Sequence, residues 1–286
     1  MTTPLLYNPV AGRGKLARAI ENLAAGKELE LFATNGAEET RLTAGRLAAD
    51  HHRILVAGGD GTLHHAIRGI DGSDAILGIV AGGTGNDFAS ALGLPLDIDA
   101  AVERALTAQP QRIDLGRAGE VPFAGIAGVG IVADVLNYLD VFTRRYRGNW
   151  VYPWAIVRTV ASYRPLDVIV ESDAASFEGP AMIAVAANAP RFGGGMLAAP
   201  EASMRDGLLD VVILKRTGRV RLIRILPRVY RGTHVNDDAC VFFRAARLRL
   251  TSRPPAVVYA DGEALPLDTG EATVLRSDRG ALLVAV

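Results

Sequence analysis

The stretch Arg53-Ile54-Leu55-Val56-Ala57-Gly58-Gly59-Asp60-Gly61-Thr62 is where the reading of this chain starts. Its first half is a short apolar run without alternation, the mark of a strand covered on both faces. Its second half is rich in glycine and leads into a helical pattern from Leu63 to Ile70. Glycines at a strand-to-helix junction let backbone N–H groups approach a phosphate unobstructed, and a helix start adds a positive dipole end. Thr62 is placed to cap that helix. Asp60, an acid inside an anion-binding loop, calls for a cation or hydroxyl partner, which makes it a candidate for organising Mg²⁺-bound phosphates. On the pentapeptide alone, a tight turn with Asp60 as a local cap is the other reading.

Working outward, Ile76 to Val80 is a second buried strand that runs into Ala81-Gly82-Gly83-Thr84-Gly85-Asn86-Asp87-Phe88-Ala89, another glycine cluster with polar tips. Upstream, Leu5 to Tyr7 reads as a strand, Lys15 to Ala25 as a helix, Glu28 to Ala33 as a strand and Glu38 to Asp50 as a helix. This alternation predicts a parallel sheet covered on both faces, with both glycine loops at the carboxyl edge where ligands of such sheets bind. A third turn, Asn8-Pro9-Val10-Ala11-Gly12-Arg13-Gly14-Lys15, matches a dinucleotide fingerprint only weakly. No acid closes the second strand, which ends Phe32-Ala33-Thr34, and Leu16 follows Lys15 where a P-loop needs Ser or Thr. Protein-kinase signatures are absent too.

After Asp114 short strand-like runs dominate: 166–171, 181–187, 209–214, 241–243, 246–251, 257–260, 273–275 and 282–286. They predict a mostly antiparallel sandwich or barrel, interrupted by helical segments at 131–162 and 219–230. The expected organisation is a domain over 1–115 and a second over 116–276, with substrates in the cleft between them.

The chain has 286 residues, 49% of them hydrophobic and 22% charged, an ordinary globular composition. Lys plus Arg equals Asp plus Glu at 31 each, so no nucleic-acid partner is expected. The lone cysteine, Cys240, cannot form an internal disulfide. With no signal-peptide pattern and no apolar run of about 18 residues, the expected location is cytoplasmic, any membrane contact being peripheral at the inner face. Seven cations and no acid between Val211 and Asn236, interleaved with apolar residues, suit an anionic bilayer or a solvated helix face. The same holds for five arginines with Trp150 and Trp154 between Val141 and Leu166. A homodimer is left open.

The set Asn8-Pro9 with its glycine turn, Gly58 to Thr62, and Gly83-Thr84-Gly85-Asn86-Asp87-Phe88-Ala89 resembles the diacylglycerol kinase catalytic-domain family. Phe192-Gly193-Gly194-Gly195-Met196, Ala199-Pro200, Asp206-Gly207-Leu208-Leu209-Asp210 and Asp261-Gly262-Glu263 are similar to that family's second domain. The resemblance implies an α/β nucleotide-binding domain with a parallel sheet, plus a C-terminal antiparallel β-sandwich to which residues 277–286 do not belong, returning instead to the first domain. It implies an ATP-dependent, Mg²⁺-requiring lipid kinase that transfers the γ-phosphate to the hydroxyl of diacylglycerol or a related lipid.

The expected ATP set is Asn8, Thr34, Gly58, Gly59, Asp60, Gly61, Thr62, Gly83, Thr84, Asn86 and Asp87. Asp206, with the backbone carbonyls of Ser203 and Leu208, matches a structural metal position. Glu263 matches the proton acceptor, with Asp261 beside it and Asp60 completing the catalytic set; read alone, Asp261-Gly262 is a hairpin turn. Asn188 and Gly193 to Gly195 are expected to line the cleft. The chain departs from the pattern at His64-His65, where relatives carry Asn-Glu. An NAD kinase, which shares the Gly58 to Thr62 motif, and a nucleotide-binding regulatory protein without turnover are the alternatives.

Overall fold

A computed structural model describes residues 2–130, 163–265 and 272–286. The expected helical segment at 131–162, with both tryptophans and four of the five arginines, lies outside them. In chain order the elements are β1 (Thr3–Tyr7), α1 (Lys15–Ala24), β2 (Leu29–Ala33), α2 (Ala37–Asp50), β3 (Arg53–Gly58), α3 (Asp60–Ile70), β4 (Ile76–Ala81), α4 (Asp87–Ala91), α5 (Ile98–Thr107), β5 (Pro110–Ala118), β6 (Val121–Phe123) and β7 (Ile126–Gly130). There follow β8 (Leu166–Ser172), β9 (Ser176–Ala187), β10 (Leu209–Lys215), α6 (Arg219–Val229), β11 (Cys240–Ala245), β12 (Arg247–Arg253), β13 (Tyr259–Ala260), β14 (Glu263–Ala264) and β15 (Thr273–Ala285).

The first four strands pair in parallel in the order β2-β1-β3-β4. Period-two alternation sorts their side chains: Leu5, Leu55, Ala57 and Val80 pack under α1 and α5 with Leu16, Ile20 and Val102. Leu6, Ile54, Val56, Leu77 and Ile79 pack under α2 and α3 with Leu47, Leu63 and Ile67. Because β1 and β3 are neighbours whose following connections leave in opposite directions, the loops after them flank a crevice at the carboxyl edge. The remaining strands are antiparallel, with a separate core around Phe123, Val168, Val211, Leu248 and Leu275.

One strand joins the two halves. β15 pairs antiparallel with β12 and β5 and, after an irregularity between Asp278 and Leu282, lies parallel to β4 at Leu283 and Val284. The parallel and antiparallel parts thus form one hydrogen-bonded network that fixes the cleft's geometry. Arg117 on β5 reinforces this seam. Its guanidinium donates to both carboxylate oxygens of Asp71 at 2.7 and 2.9 Å and to Asp278 at 2.5 Å.

One local expectation is corrected. α3 begins at Asp60, with extended Gly59 as its N-cap and no side-chain cap, so Thr62 lies inside the first turn and does not cap it. β5, which sequence reading did not place, begins at Pro110, a proline being tolerated as a strand's first residue.

Candidate active site

The loops after β3 and β4 meet backbone to backbone. A Cβ built on Gly83 would stand 2.6 Å from the Cα of Gly59, and one on Gly59 would stand 3.2 Å from the Cα of Gly83. No side chain fits between them. The contact is locked by Gly82 N–H donating to the Gly58 carbonyl at 2.8 Å and by Gly83 N–H donating to Asn86 Oδ1 at 2.8 Å. The turn after β1 joins the same rim, since a Cβ on Gly12 would reach the Gly82 carbonyl at 3.1 Å. With glycine as its N-cap, the first turn of α3 keeps the unpartnered N–H groups that every helix start carries.

The start of α4 is used differently. Asp60 accepts from Phe88 N–H at 3.4 Å and also draws on the N–H groups of Asn86 and Asp87. Burial, and then the charge of Asp87, push the Asp60 carboxyl up from the ordinary carboxylate range, against those N–H groups. Asp87 is itself spent on architecture: its two oxygens accept from Gly194 and Gly195 N–H, both at 2.7 Å, tying the glycine loop after β9 to α4 across the cleft.

These groups open onto a cavity of about 500 Å³. Asp60, His64, Thr84, Arg191 and Asp261 supply its polar points, and Leu63, Ile67, Phe88, Phe192 and Tyr230 much of its apolar wall. Asp261, in the left-handed region at φ 49°, sits at the turn between β13 and β14. Its Oδ1 accepts from Gly125 N–H at 2.8 Å and Ile126 N–H at 3.1 Å; its Oδ2 accepts from Ala124 N–H at 2.7 Å and faces His64 Nδ1 at 3.0 Å.

Residues 3–118 match the diacylglycerol kinase catalytic domain, and residues 125–278 match the YegS C-terminal NAD kinase beta sandwich-like domain. A diacylglycerol kinase of Bacillus subtilis (strain 168) is 30% identical over 268 residues, covering 91% of this chain and 88% of that protein. The chain belongs to the diacylglycerol kinase family. A diacylglycerol kinase of Mycobacterium tuberculosis (strain CDC 1551 / Oshkosh) is also 30% identical, over 279 residues, covering 92% of this chain and 89% of that protein. Among solved structures, a protein from Bacillus anthracis strain Sterne superposes with a TM-score of 0.82 at 23% identity, over 99% of this chain and 94% of that one. A diacylglycerol kinase from the same strain gives 0.75 at 20% identity, over 99% and 96%. At these identities the likeness bears on the fold alone.

The residues expected of this family member from its sequence fall into three groups. Asp60, Thr84, Asp87 and Asp261 line the cavity, with Gly58 at the end of β3, Gly59, Gly83 and Asn86 in the loops beside it, and Gly61 and Thr62 in the first turn of α3. Asn8 stands at the end of β1, its Oδ1 accepting from Val10 N–H at 3.0 Å, and the hydroxyl of buried Thr34 is turned inward to Thr40 at 3.0 Å. Glu263 is outside the cavity lining, its side chain 52% exposed and 3.9 Å from His65 Nε2. Burial, and then neighbouring His64, hold His65 below the usual imidazole range, with Glu263 opposing. The two imidazoles face separate carboxylates, their rings edge to face at 5.1 Å.

Asn188 corrects an expectation. It is fully buried and pins the carbonyls of Asp114 and Ala124 at 3.0 and 2.9 Å, so it braces the cleft floor without lining it. Asp206 is exposed at a turn apart from the cavity, where its Oδ1 accepts from Leu208 N–H at 3.0 Å and Ser203 Oγ accepts from Arg205 N–H at 3.3 Å. Buried Asp114 stitches this turn to the bend in β15 by accepting from Gly207 and Gly280 N–H at 2.7 Å each. Sequence reading missed Asp114 and Arg117, which have no motif, and Arg191 and Tyr230 on the cavity wall; the one signal for Arg191 was its place just ahead of Phe192 and three glycines.

Proposed function

We propose that this family member is an ATP-dependent lipid kinase that transfers the γ-phosphate to a lipid hydroxyl, of diacylglycerol or a related lipid, in the cleft. The observation that carries this reading is the pair of glycine loops in backbone contact beside a cavity whose lining is largely apolar. The loops and the uncapped start of α3 suit a polyphosphate. Leu63, Ile67, Phe88, Phe192 and Tyr230 suit an acyl chain better than a second nucleotide, which favours a lipid over NAD as acceptor.

Magnesium fits Asp60. Among the described residues no three side chains form a metal cluster, and Mg²⁺ is commonly held by one or two carboxylates together with substrate phosphates. Asp60 is such a carboxylate, raised by burial and by Asp87 and in want of a cation. When bound, the ion would neutralise phosphate charge. The chain's own part is to align: the loops fix the phosphates, Thr84 marks the cavity rim, and Asp87 holds the opposing glycine loop in place. The turn at Ser203, Asp206 and Leu208 is proposed as a structural divalent-cation site, because Asp206 is exposed with backbone turned around it.

Access is proposed to be from an anionic membrane surface at the inner face. Among the described residues no helix is long and apolar enough to cross a membrane. On α6, Val220 and Ile223 are 65% and 46% exposed beside the exposed Arg219 and Arg224, while Tyr230 just beyond the helix lines the cavity. Such a face suits a bilayer that delivers its lipid to the cleft. Arg221 and Arg228 instead pair with Asp237.

The test is label transfer from γ-labelled ATP to micelles of diacylglycerol, of sphingosine or of ceramide, and to NAD. Label in a lipid supports the reading. Label in NADP favours an NAD kinase, and ATP binding without transfer favours a regulatory protein.

A further inference from the structure

We infer that Arg191 is the residue that grips the phosphoryl group as it passes from nucleotide to acceptor hydroxyl. The inference rests on the kinase reading and names the cation within it.

Arg191 follows β9 and directly precedes a closed loop. Phe192 and Met196 exchange backbone hydrogen bonds at 2.9 and 3.1 Å. Gly193, Gly194 and Gly195 between them all stand in the left-handed region, at φ 63°, 84° and 94°. That curl aims the N–H groups of Gly194 and Gly195 at Asp87 and turns the Gly195 carbonyl back to Arg191, whose Nη1 donates to it at 3.4 Å. The same loop leans on the loop after β4. A Cβ built on Gly85 would stand 3.5 Å from the Cα of Gly194 and 2.6 Å from Asp60 Oδ2. The guanidinium is thus tethered to the part of the cavity rim where Gly85 and Asp60 lie.

The charges of the lining leave this cation unspent. Among the described residues that line the cavity, Arg191 is the only Lys or Arg, and Asp60, Asp87 and Asp261 are the acids. Asp87 and Asp261 take backbone N–H groups on both oxygens, and Asp60 takes those at the start of α4. Arg191 pairs with no carboxylate among the described residues. A guanidinium carries five N–H donors, and its long bond to Gly195 engages a single one. A half-buried fork with donors to spare, on a largely apolar wall, is what two oxygens of a phosphate complete. Lys15 at the start of α1 and Arg68 in the last turn of α3 stand outside the lining.

In the step, the lipid oxygen forms its bond to the γ-phosphorus as the bond from that phosphorus to the bridging oxygen breaks. ADP leaves with that electron pair, and the hydroxyl proton passes to the base expected at Glu263. The three other oxygens of the phosphoryl group stay charged throughout. Arg191, which does not give up its proton, bridges two of them. It belongs to the antiparallel half, whereas the glycine loops after β3 and β4 belong to the parallel half. Its hold therefore strengthens as the group leaves ADP, which lowers the barrier more than it tightens ATP.

The experiment compares wild type with Arg191→Met, which keeps the apolar stem, and Arg191→Lys, which keeps the charge without the fork. Thermal unfolding checks that each folds. The expected loss of kcat is about 100- to 1,000-fold for Arg191→Met, and smaller for Arg191→Lys. The second readout is calorimetric binding of Mg·ADP with and without fluoroaluminate, a mimic of the phosphoryl group in transit. Wild type should bind ADP more tightly with fluoroaluminate. Arg191→Met should lose that gain while its affinity for ADP alone stays within about twofold. A residue that merely shapes the loop would weaken both alike, and that result overturns the inference. So does a folded Arg191→Met with wild-type kcat, a gain equal in both proteins, or no gain in wild type. An effect confined to the KM of a phosphodiester lipid such as phosphatidylglycerol also overturns it, and assigns Arg191 to the acceptor's headgroup. Wild type that labels neither lipid nor NAD overturns the kinase reading, whereas a fluoroaluminate gain indifferent to Arg191 overturns this inference alone.

Discussion

Replacing Gly83 by alanine tests whether the two loops work as one unit. The added Cβ would stand 2.6 Å from the Cα of Gly59 and 3.1 Å from Asn86 Oδ1. Carbon atoms in comfortable contact are about 3.5–4.0 Å apart, so the loops must part by about 1 Å. The obstacle is backbone and cannot rotate away. Overpacking of this kind costs about 1–3 kcal/mol, which for a chain of this size lowers the thermal midpoint by about 2–4 °C per kcal/mol. A 1 Å displacement of a phosphate cradle should also lower kcat/KM by about 100-fold.

Gly61→Ala is the matched control, because nothing lies within 4 Å of its would-be Cβ and its φ is ordinary. Placed in the first turn of α3, it should hold or raise stability by about 0.5 kcal/mol and still weaken ATP binding, since a methyl group then stands where phosphate approaches. Denaturant unfolding and calorimetric ATP titration of the two variants check this. A Gly83→Ala protein with wild-type midpoint and affinity would refute the idea that backbone contact between the loops builds the site.

Asp60→Asn should abolish turnover yet raise the thermal midpoint of the ligand-free protein at pH 7. The folded pKa of Asp60 is raised, so its charge opposes folding above that pKa, and the gain should shrink toward pH 4 as wild-type Asp60 takes up its proton. Unfolding curves at the two pH values decide. Arg117→Met removes the fork shared by Asp71 and Asp278 and should cost about 2–3 kcal/mol, a fully buried pair being discounted here for partial exposure; urea unfolding measures it. Burial pushes the Cys240 thiol up to about 11, so its maleimide labelling at pH 8 should be about 100-fold slower than that of free cysteine; labelling at the free-cysteine rate would contradict its burial.

The parallel sheet was legible because its signal is local. Uninterrupted apolar runs such as Ile54 to Ala57 and glycines at strand ends each declare themselves within a few residues. The antiparallel half was legible strand by strand, but β15 was not seen as a single element, since Ser277 to Ala281 reads as a polar break. Only pairing with β5, β12 and β4 at once keeps it extended. The loops of the site were legible for the same local reason as the sheet, while the uses of their polar residues were not. Asp87 looks like a phosphate-loop tip and turns out to bind Gly194 and Gly195, residues whose proximity depends on the whole fold.

The motif Asp261-Gly262-Glu263 shows how little sequence spacing says about where each acid comes to lie. A left-handed backbone at Asp261 folds its carboxylate inward onto the N–H groups of Ala124, Gly125 and Ile126, and the same turn carries Glu263 outward to the rim. Two acids two residues apart therefore end in opposite environments. The histidine opposite the inner one, 197 residues away in the chain, acquires an oriented ring and an unspent nitrogen. That pairing joins the two halves of the chain across the cleft, and no local pattern encodes it.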